Sequence, residues 1–122
     1  MGLPLIHRLK HRNDFKAVYE QGKRHATSHL VLIVLKDVSS HVMQLSPTRF
    51  GISIGQKVSK KSVIRNRIKR QIRGAIRALL ADIIPGWRVV VVVRPPAVEC
   101  KYEHFLQEIK TLLTRAGLIN GH

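Results

Sequence analysis

The chain has 122 residues, of which 44% are hydrophobic, and its 22 lysines and arginines outweigh seven acids to give a formal net charge of +15. This composition predicts one compact domain spanning residues 1–122, with its own core. The lone cysteine, Cys100, excludes an internal disulfide and a zinc site built on several thiolates. Residues 1–6 are too short for a signal peptide and no run reaches membrane-spanning length, so we expect a cytoplasmic protein without a membrane partner.

The position of the charge is more informative than its total. No acid occurs between Asp37 and Asp82, whereas ten lysines and arginines do. A solvated surface normally mixes both signs, and a folded domain with this net charge must tolerate self-repulsion. The pattern therefore predicts a nucleic-acid-binding surface, with acidic lipid or an acidic protein as weaker alternatives.

The first predicted element is a short helix that follows a basic lead-in from residue 6. Asn13 or Arg12 suits its N-cap, and Gly22 suits the C′ position where it ends. Phe15, Val18 and Tyr19 share one face of this helix at spacings of three and four residues. From spacing alone, the two aromatic residues are expected to be ordinary core residues.

Two strands are predicted next. Residues 29–36 contain a short run of β-branched and aliphatic residues typical of a buried strand. Residues 39–47 predict a loop, and residues 49–54 alternate, with Phe50, Ile52 and Ile54 facing one side. A further short strand near residues 23–26 is possible.

The second half predicts a long helix at residues 59–80, a strand at residues 87–93 and a closing helix at residues 102–116 that ends at Gly117. The order is αββαβα, with a possible extra short strand. It predicts an α+β fold in which helices pack on a small sheet.

The long helix places its apolar residues, from Ile64 to Leu79, on one arc. The rest of its surface is almost wholly cationic: Arg65, Asn66, Arg67, Lys69, Arg70, Arg73 and Arg77. Lys60 and Lys61 fall near its N-terminus, where the helix dipole is already positive, and no glutamate relieves the arginines. A merely solvated face would not need this arrangement, so we infer that a polyanion completes the helix.

Residues 51–73 read GISIGQKVSKKSVIRNRIKRQIR and closely resemble the signature of the bacterial ribonuclease P protein family. The hallmark is Arg65-Asn66-Arg67 on the long helix. The resemblance extends from Arg8-Leu9 to the Val-rich strand that precedes Arg94-Pro95, and so covers most of the chain.

The resemblance implies a two-layer α/β sandwich like the second domain of a small-subunit ribosomal protein. It implies a left-handed crossover, although the general rule for such connections predicts a right-handed one. It also assigns contact with the catalytic RNA to the long helix and its adjoining loop: Lys57, Lys60, Lys61, Arg65, Asn66, Arg67, Lys69, Arg70 and Arg73.

A second site follows from the same resemblance, namely a cleft that receives the single-stranded 5′ leader of precursor tRNA. The residues it assigns to this cleft are Arg12, Phe15, Tyr19, Val31 and Ile33. Ser62 stands where the family commonly has alanine, which would shift the start of the helix. Ile33 stands where some members carry an aromatic residue, so stacking there would be weaker.

No catalytic or metal-binding residue is predicted in the protein. The seven acids show no cluster in sequence, and the pairs His7/His11 and His25/His29 lack a carboxylate partner there, so both are expected to be solvated or to face phosphate. The resemblance implies that the RNA subunit cuts the phosphodiester bond with Mg²⁺ bound mainly by RNA. The expected partners are that RNA and precursor tRNA, with no obligate protein partner.

Three alternatives remain open at this stage. A ribosome-associated or other structural RNA-binding protein would share the charge but would need no leader cleft. A DNA-binding protein would need a helix-turn-helix partner that the pattern does not predict. An independent nuclease would need clustered acids.

Overall fold

A computed structural model describes residues 3–37 and 46–119. Within them, the helices and strands are α1 (Arg12–Gln21), β1 (Lys23–Ala26), β2 (Leu30–Lys36), β3 (Arg49–Ser53), α2 (Ser62–Leu79), β4 (Trp87–Val93) and α3 (Tyr102–Arg115). The possible extra strand is present as β1, so the order is αβββαβα. The predicted loop at residues 39–47 lies mostly outside the described residues. No helix in the described part of the chain is long and apolar enough to cross a membrane.

The four strands form one mixed sheet in the order β1-β2-β4-β3. β2 pairs antiparallel with both β1 and β4, while β3 and β4 are parallel and are joined by the α2 crossover. The predicted α+β fold with a small mixed sheet is confirmed.

Alternate residues of the central strands face opposite layers, as the period of two requires. Leu32 and Val91 belong to the core beneath α2 and α3, whereas Ile33 and Val90 pack towards α1. All four side chains have 0% exposure. The main sandwich is thus the sheet with α2 and α3, and α1 lies across the opposite face.

The handedness of the β3–α2–β4 crossover follows from the direction in which successive backbone amides of β4 point. The Arg94 N–H donates to the His29 carbonyl at 2.9 Å, so even-numbered residues of β4 point their amides towards β2 and odd-numbered ones, such as Val91, towards β3. Consider the sheet viewed from α2, with β4 running upward. In an L-residue of β4 whose side chain faces the viewer, the backbone N–H points to the right. β3 therefore lies to the right of β4, and the chain moves leftward through α2. The crossover is left-handed, as the resemblance implies and against the general rule.

Two helix boundaries differ from the prediction. α2 begins at Ser62, not residue 59, because Lys61 is an extended N-cap with φ −84° and ψ 119°. The N–H of Lys61 donates to the Ser59 hydroxyl at 3.2 Å, which holds this extended approach. Lys60 therefore precedes the helix instead of lying in its first turn. α1 has His11 as its N-cap, not Asn13 or Arg12.

Gly22 also has a different role from the predicted one. Its φ of −75° is ordinary extended backbone, not the left-handed conformation of a C′ glycine. A Cβ there would lie 2.5 Å from the Val18 carbonyl oxygen and 2.6 Å from Ile33 Cγ2. The glycine is needed because α1 turns into β1 directly against β2.

Candidate nucleic-acid interface

The buried stripe of α2 fixes which side of the helix faces outward. Ile68, Ile72 and Ile76 have 0% exposure and seat the helix on the sheet. The predicted RNA-binding residues therefore lie on its outer side: Asn66, Arg67 and Arg70 are exposed, and Arg65, Lys69 and Arg73 are half-buried.

Backbone carbonyls hold two of the α2 cations without neutralising them. Arg65 Nη1 donates to the Ser59 carbonyl at 2.8 Å, and Arg67 Nη2 donates to the Val98 carbonyl at 3.3 Å. Among the described residues, no α2 cation lies within ion-pair distance of a carboxylate. Each guanidinium thus keeps its full charge and retains donors for phosphate oxygens.

The segment before α2 adds to this positive surface. Val58 is 8% exposed and inserts into the core, while its N–H donates to the Gly55 carbonyl at 3.1 Å to form a turn. This anchor leaves Lys57, Lys60 and Lys61 exposed. The N-terminus of α2 has no side-chain cap and no acid in its first turn, so its unpaired N–H groups and positive dipole favour an anion.

The second predicted surface, the α1 cleft, lies on the other face of the sheet. Phe15 and Tyr19 from α1 and Val31 from β2 are half-buried together there, and Arg12 is exposed at the start of α1. Ile33 is 0% exposed and packs beneath them. The structure brings these predicted residues together, with Ile33 as the floor and not as exposed surface.

A glycine shapes the β3 side of this cleft. A Cβ at Gly51 would overlap the ring of Phe15, so the absence of a side chain on β3 leaves room for that ring above the sheet. Because the ring is half-buried, part of it remains available to a ligand.

An ion-pair network ties α1 to the sheet. Arg88 Nη1 on β4 donates to Asp14 Oδ1 at 3.3 Å, and Arg49 on β3 lies 4.0 Å from Asp14 Oδ2 and 3.6 Å from Asp37 Oδ2. The Arg88 and Asp14 side chains are only 16% and 20% exposed. This network fixes α1 over the strands that form the cleft, a role the sequence did not reveal.

A groove of about 210 Å³ at the β3 edge connects the two surfaces. Its lining includes Phe15 of the cleft and Arg73 of α2, together with Arg8 and Lys10 from the N-terminal segment. That segment is held against β3, since the Leu9 N–H donates to the Phe50 carbonyl at 2.8 Å. The two candidate surfaces are therefore adjacent around one edge of the sheet.

The structure adds residues to the cleft and corrects one expectation. Val92 is half-buried in the cleft cluster, and Arg24 pairs with Ile33 in register, so it is on the cleft face and exposed. His29 was expected to lack a carboxylate partner, but its Nδ1 lies 2.6 Å from Glu108 Oε2. The 79-residue separation of that pair concealed it.

Together, a mixed sheet, an uncompensated cationic helix and an adjacent apolar cleft define a nucleic-acid-binding α+β protein. The ribonuclease P family model matches residues 3–117. The chain is 60% identical to the ribonuclease P protein component of Microcystis aeruginosa over the full length of both, and 53% identical to that of Rippkaea orientalis over all of this chain and 95% of the relative. The chain belongs to the ribonuclease P protein family.

Solved structures agree with this assignment. The Staphylococcus aureus RNase P protein superposes with a TM-score of 0.80 at 25% identity, covering 93% of this chain and 98% of that one. The Thermotoga maritima RNase P protein gives a TM-score of 0.74 at 25% identity, with the same coverage. The fold is thus shared well beyond the range of high sequence identity.

Proposed function

We propose that this chain is the protein subunit that helps ribonuclease P remove the 5′ leader of precursor tRNA. It binds the catalytic RNA through the α2 face and receives the leader in the α1 cleft. The observation that carries this proposal is the set of α2 cations that no carboxylate neutralises. It acts in the cytoplasm as one RNA-binding domain, without an obligate protein partner.

The α2 surface suits a folded RNA because its donors are forked and closely spaced. Arginine binds phosphate with two parallel hydrogen bonds, and Arg67 and Arg70 are exposed one helical turn apart. Lys57 and Lys60 extend the same surface to the N-terminus of α2. If about six phosphates are neutralised, affinity falls by on the order of 10³ between low and moderate salt.

The α1 cleft suits a single strand of any sequence. Unstacked bases can stack on aromatic faces for about 1–3 kcal/mol each, and every base has such a face. Phe15 and Tyr19 supply the rings, and the exposed cations Arg12 and Arg24 are placed to contact the backbone. The groove at the β3 edge allows one ribonucleoprotein to use both surfaces.

The three described acids that are not exposed have structural partners, which favours a supporting role for the protein. Asp14 and Asp37 pair with arginines, and Glu108 accepts hydrogen bonds from Thr27 and His29. Phosphodiester cleavage then falls to the RNA subunit, with Mg²⁺ bound mainly by that RNA. The protein's own residues neutralise phosphates and hold the leader.

The test compares cleavage of leader-bearing precursor tRNA by the RNA subunit with and without this protein at low Mg²⁺. We expect the protein to accelerate cleavage strongly, because its cations replace part of the Mg²⁺ that screens phosphate repulsion. The advantage should shrink when the leader is shortened to one nucleotide. Equal rates with and without protein on the full-length precursor would contradict the proposal.

The second candidate is a ribosome-associated or other structural RNA-binding protein. The basic α2 face alone is consistent with that function, but a structural RNA-binding protein would have no need for the partly exposed rings of Phe15 and Tyr19. Substitutions at those rings separate the two functions, because only the ribonuclease P function predicts lost precursor affinity with retained binding to the catalytic RNA.

A further inference from the structure

A cluster of three potential metal ligands lies apart from both RNA surfaces. His29 precedes β2, Cys100 precedes α3 and Glu108 lies within α3, yet His29 Nδ1 or Nε2, Cys100 Sγ and a Glu108 carboxylate oxygen lie within 4.8 Å of one another. Leader binding and RNA binding, as proposed above, use none of these three side chains.

We propose that His29, Cys100 and Glu108 bind a divalent transition-metal ion such as Zn²⁺. Imidazole, thiolate and carboxylate are its usual protein ligands, at about 2.0–2.3 Å from the metal. Tetrahedral bonds of that length place ligand atoms roughly 3.3–3.6 Å apart. The cluster approaches this spacing, and small side-chain shifts complete it.

The carboxylate is already oriented for this role. Glu108 Oε1 accepts hydrogen bonds from the Thr27 hydroxyl at 2.5 Å and from the His29 N–H at 3.1 Å. Those bonds hold one oxygen, while Oε2 forms a 2.6 Å hydrogen bond with His29 Nδ1 that a metal ion would replace. Carboxylates that bind a metal ion are commonly held by hydrogen bonds of this kind.

The three side chains are exposed enough for an ion to enter and buried enough to limit competition from water. The Glu108 and His29 side chains are 16% and 29% exposed, and Cys100 is 7% exposed. Three protein ligands leave a fourth position for water or an exogenous group. The bound ion would link the β1–β2 turn to α3 and to the segment before it.

Binding must release protons. The Cys100 thiol loses its proton when the sulfur–metal bond forms, and His29 binds as neutral imidazole with its remaining proton on the other ring nitrogen. Burial, together with the charges of Glu108 and Glu99, raises the pKa of Cys100. Burial alone would raise the pKa of Glu108, but hydrogen bonds from Thr27 and His29 outweigh it and lower that pKa, which favours the carboxylate form. Affinity should therefore increase with pH.

The experiment titrates Zn²⁺ and Co²⁺ into the full chain, prepared without a histidine tag and freed of RNA and metal. We expect one ion per chain, a thiolate-to-cobalt charge-transfer absorption and a higher Tm with Zn²⁺. Cys100→Ser should abolish the absorption and weaken Zn²⁺ binding by more than about a hundredfold, and Thr27→Ala should weaken it by about 10–100-fold.

Two further variants keep the result interpretable. Glu108→Gln retains an oxygen for the Thr27 hydrogen bond but should lose Zn²⁺ affinity, while Glu103→Gln, at an exposed position on the same helix, removes the same charge and should change nothing. The absence of saturable binding to the wild-type chain would overturn the proposal and leave His29–Glu108 as a structural hydrogen bond. Binding that Cys100→Ser does not change would overturn it as well.

Discussion

The proposed function assigns different physical means of binding to the two faces of the sheet. The α2 face belongs to one helix whose cations have no carboxylate partner among the described residues, so the RNA binding proposed for it is electrostatic and additive. The α1 cleft joins residues from α1, β2 and β4 over the Gly51 gap, and its contribution depends on the exact placement of two rings. Charge thus governs the strength of one surface, and packing governs the other.

The largest effect should come from removing exposed charge on α2. Arg67→Gln combined with Arg70→Gln should weaken binding to the catalytic RNA by about 10²–10⁴-fold, because each charge-assisted hydrogen bond contributes about 1.5–3 kcal/mol. The slope of log affinity against log salt should fall by about two. Filter binding across a salt series measures both. Lys110→Gln, at an exposed position on α3, is the control; an equal loss there would mean that net charge, not α2, governs binding.

A smaller and more selective effect is expected in the cleft. Tyr19→Ala should weaken leader-bearing precursor binding to the holoenzyme by about 1–3 kcal/mol and leave leaderless precursor unaffected. Tyr19→Phe keeps the ring and should restore most of the affinity, while Gln21→Ala, at an exposed position of the same helix, should be neutral. If both precursors lose affinity equally, the cleft does not read the leader.

The packing of the cleft can be tested without RNA. Gly51→Ala places a methyl group against the Phe15 ring and should lower the free energy of unfolding by about 1–3 kcal/mol, the usual cost of overpacking. Gly55→Ala is a close match, because nothing lies within 4 Å of its Cβ position, and it should be nearly neutral. Urea unfolding measures both. Equal stabilities would show that the ring moves aside freely.

The smallest effect concerns pH. Burial first, and then the charges of Lys23 and Arg115, lower the pKa of His25 below its ordinary value of 6.5. As pH falls through 6.5, the unfolded chain therefore takes up a proton more readily than the folded chain, and stability declines until the folded form is also protonated. His25→Gln should make the loss of stability between pH 7.5 and 5.5 smaller. His11→Gln, at an exposed position, serves as the comparison. If that variant reduces the loss of stability by the same amount, His25 is not the source of the pH dependence.

Features that depend on local periodicity could be predicted from the sequence, whereas features that depend on contacts between distant residues could not. The spacing of Ile68, Ile72 and Ile76 was enough to orient α2. Residues 89–93 are all valine, so no alternation could show that Val92 faces the cleft. Asp14 and Arg88, 74 residues apart, gave no local signal of their ion pair. The start of α2 was predicted too early because Lys60 and Lys61 are as compatible with a helix as with an extended approach.

The pairing of the N-terminal segment with β3 bears on aggregation. An uncovered edge strand can recruit the edge of another copy. At the β3 edge, the Leu9 N–H donates a hydrogen bond to the Phe50 carbonyl. At the opposite edge, β1 carries the exposed Lys23 and Arg24, whose charges repel a second copy. The protein thus protects one edge with its own backbone and the other with charge. A truncation that starts at Lys10 would remove the first protection, and such a variant should form edge-to-edge oligomers more readily than the untruncated chain.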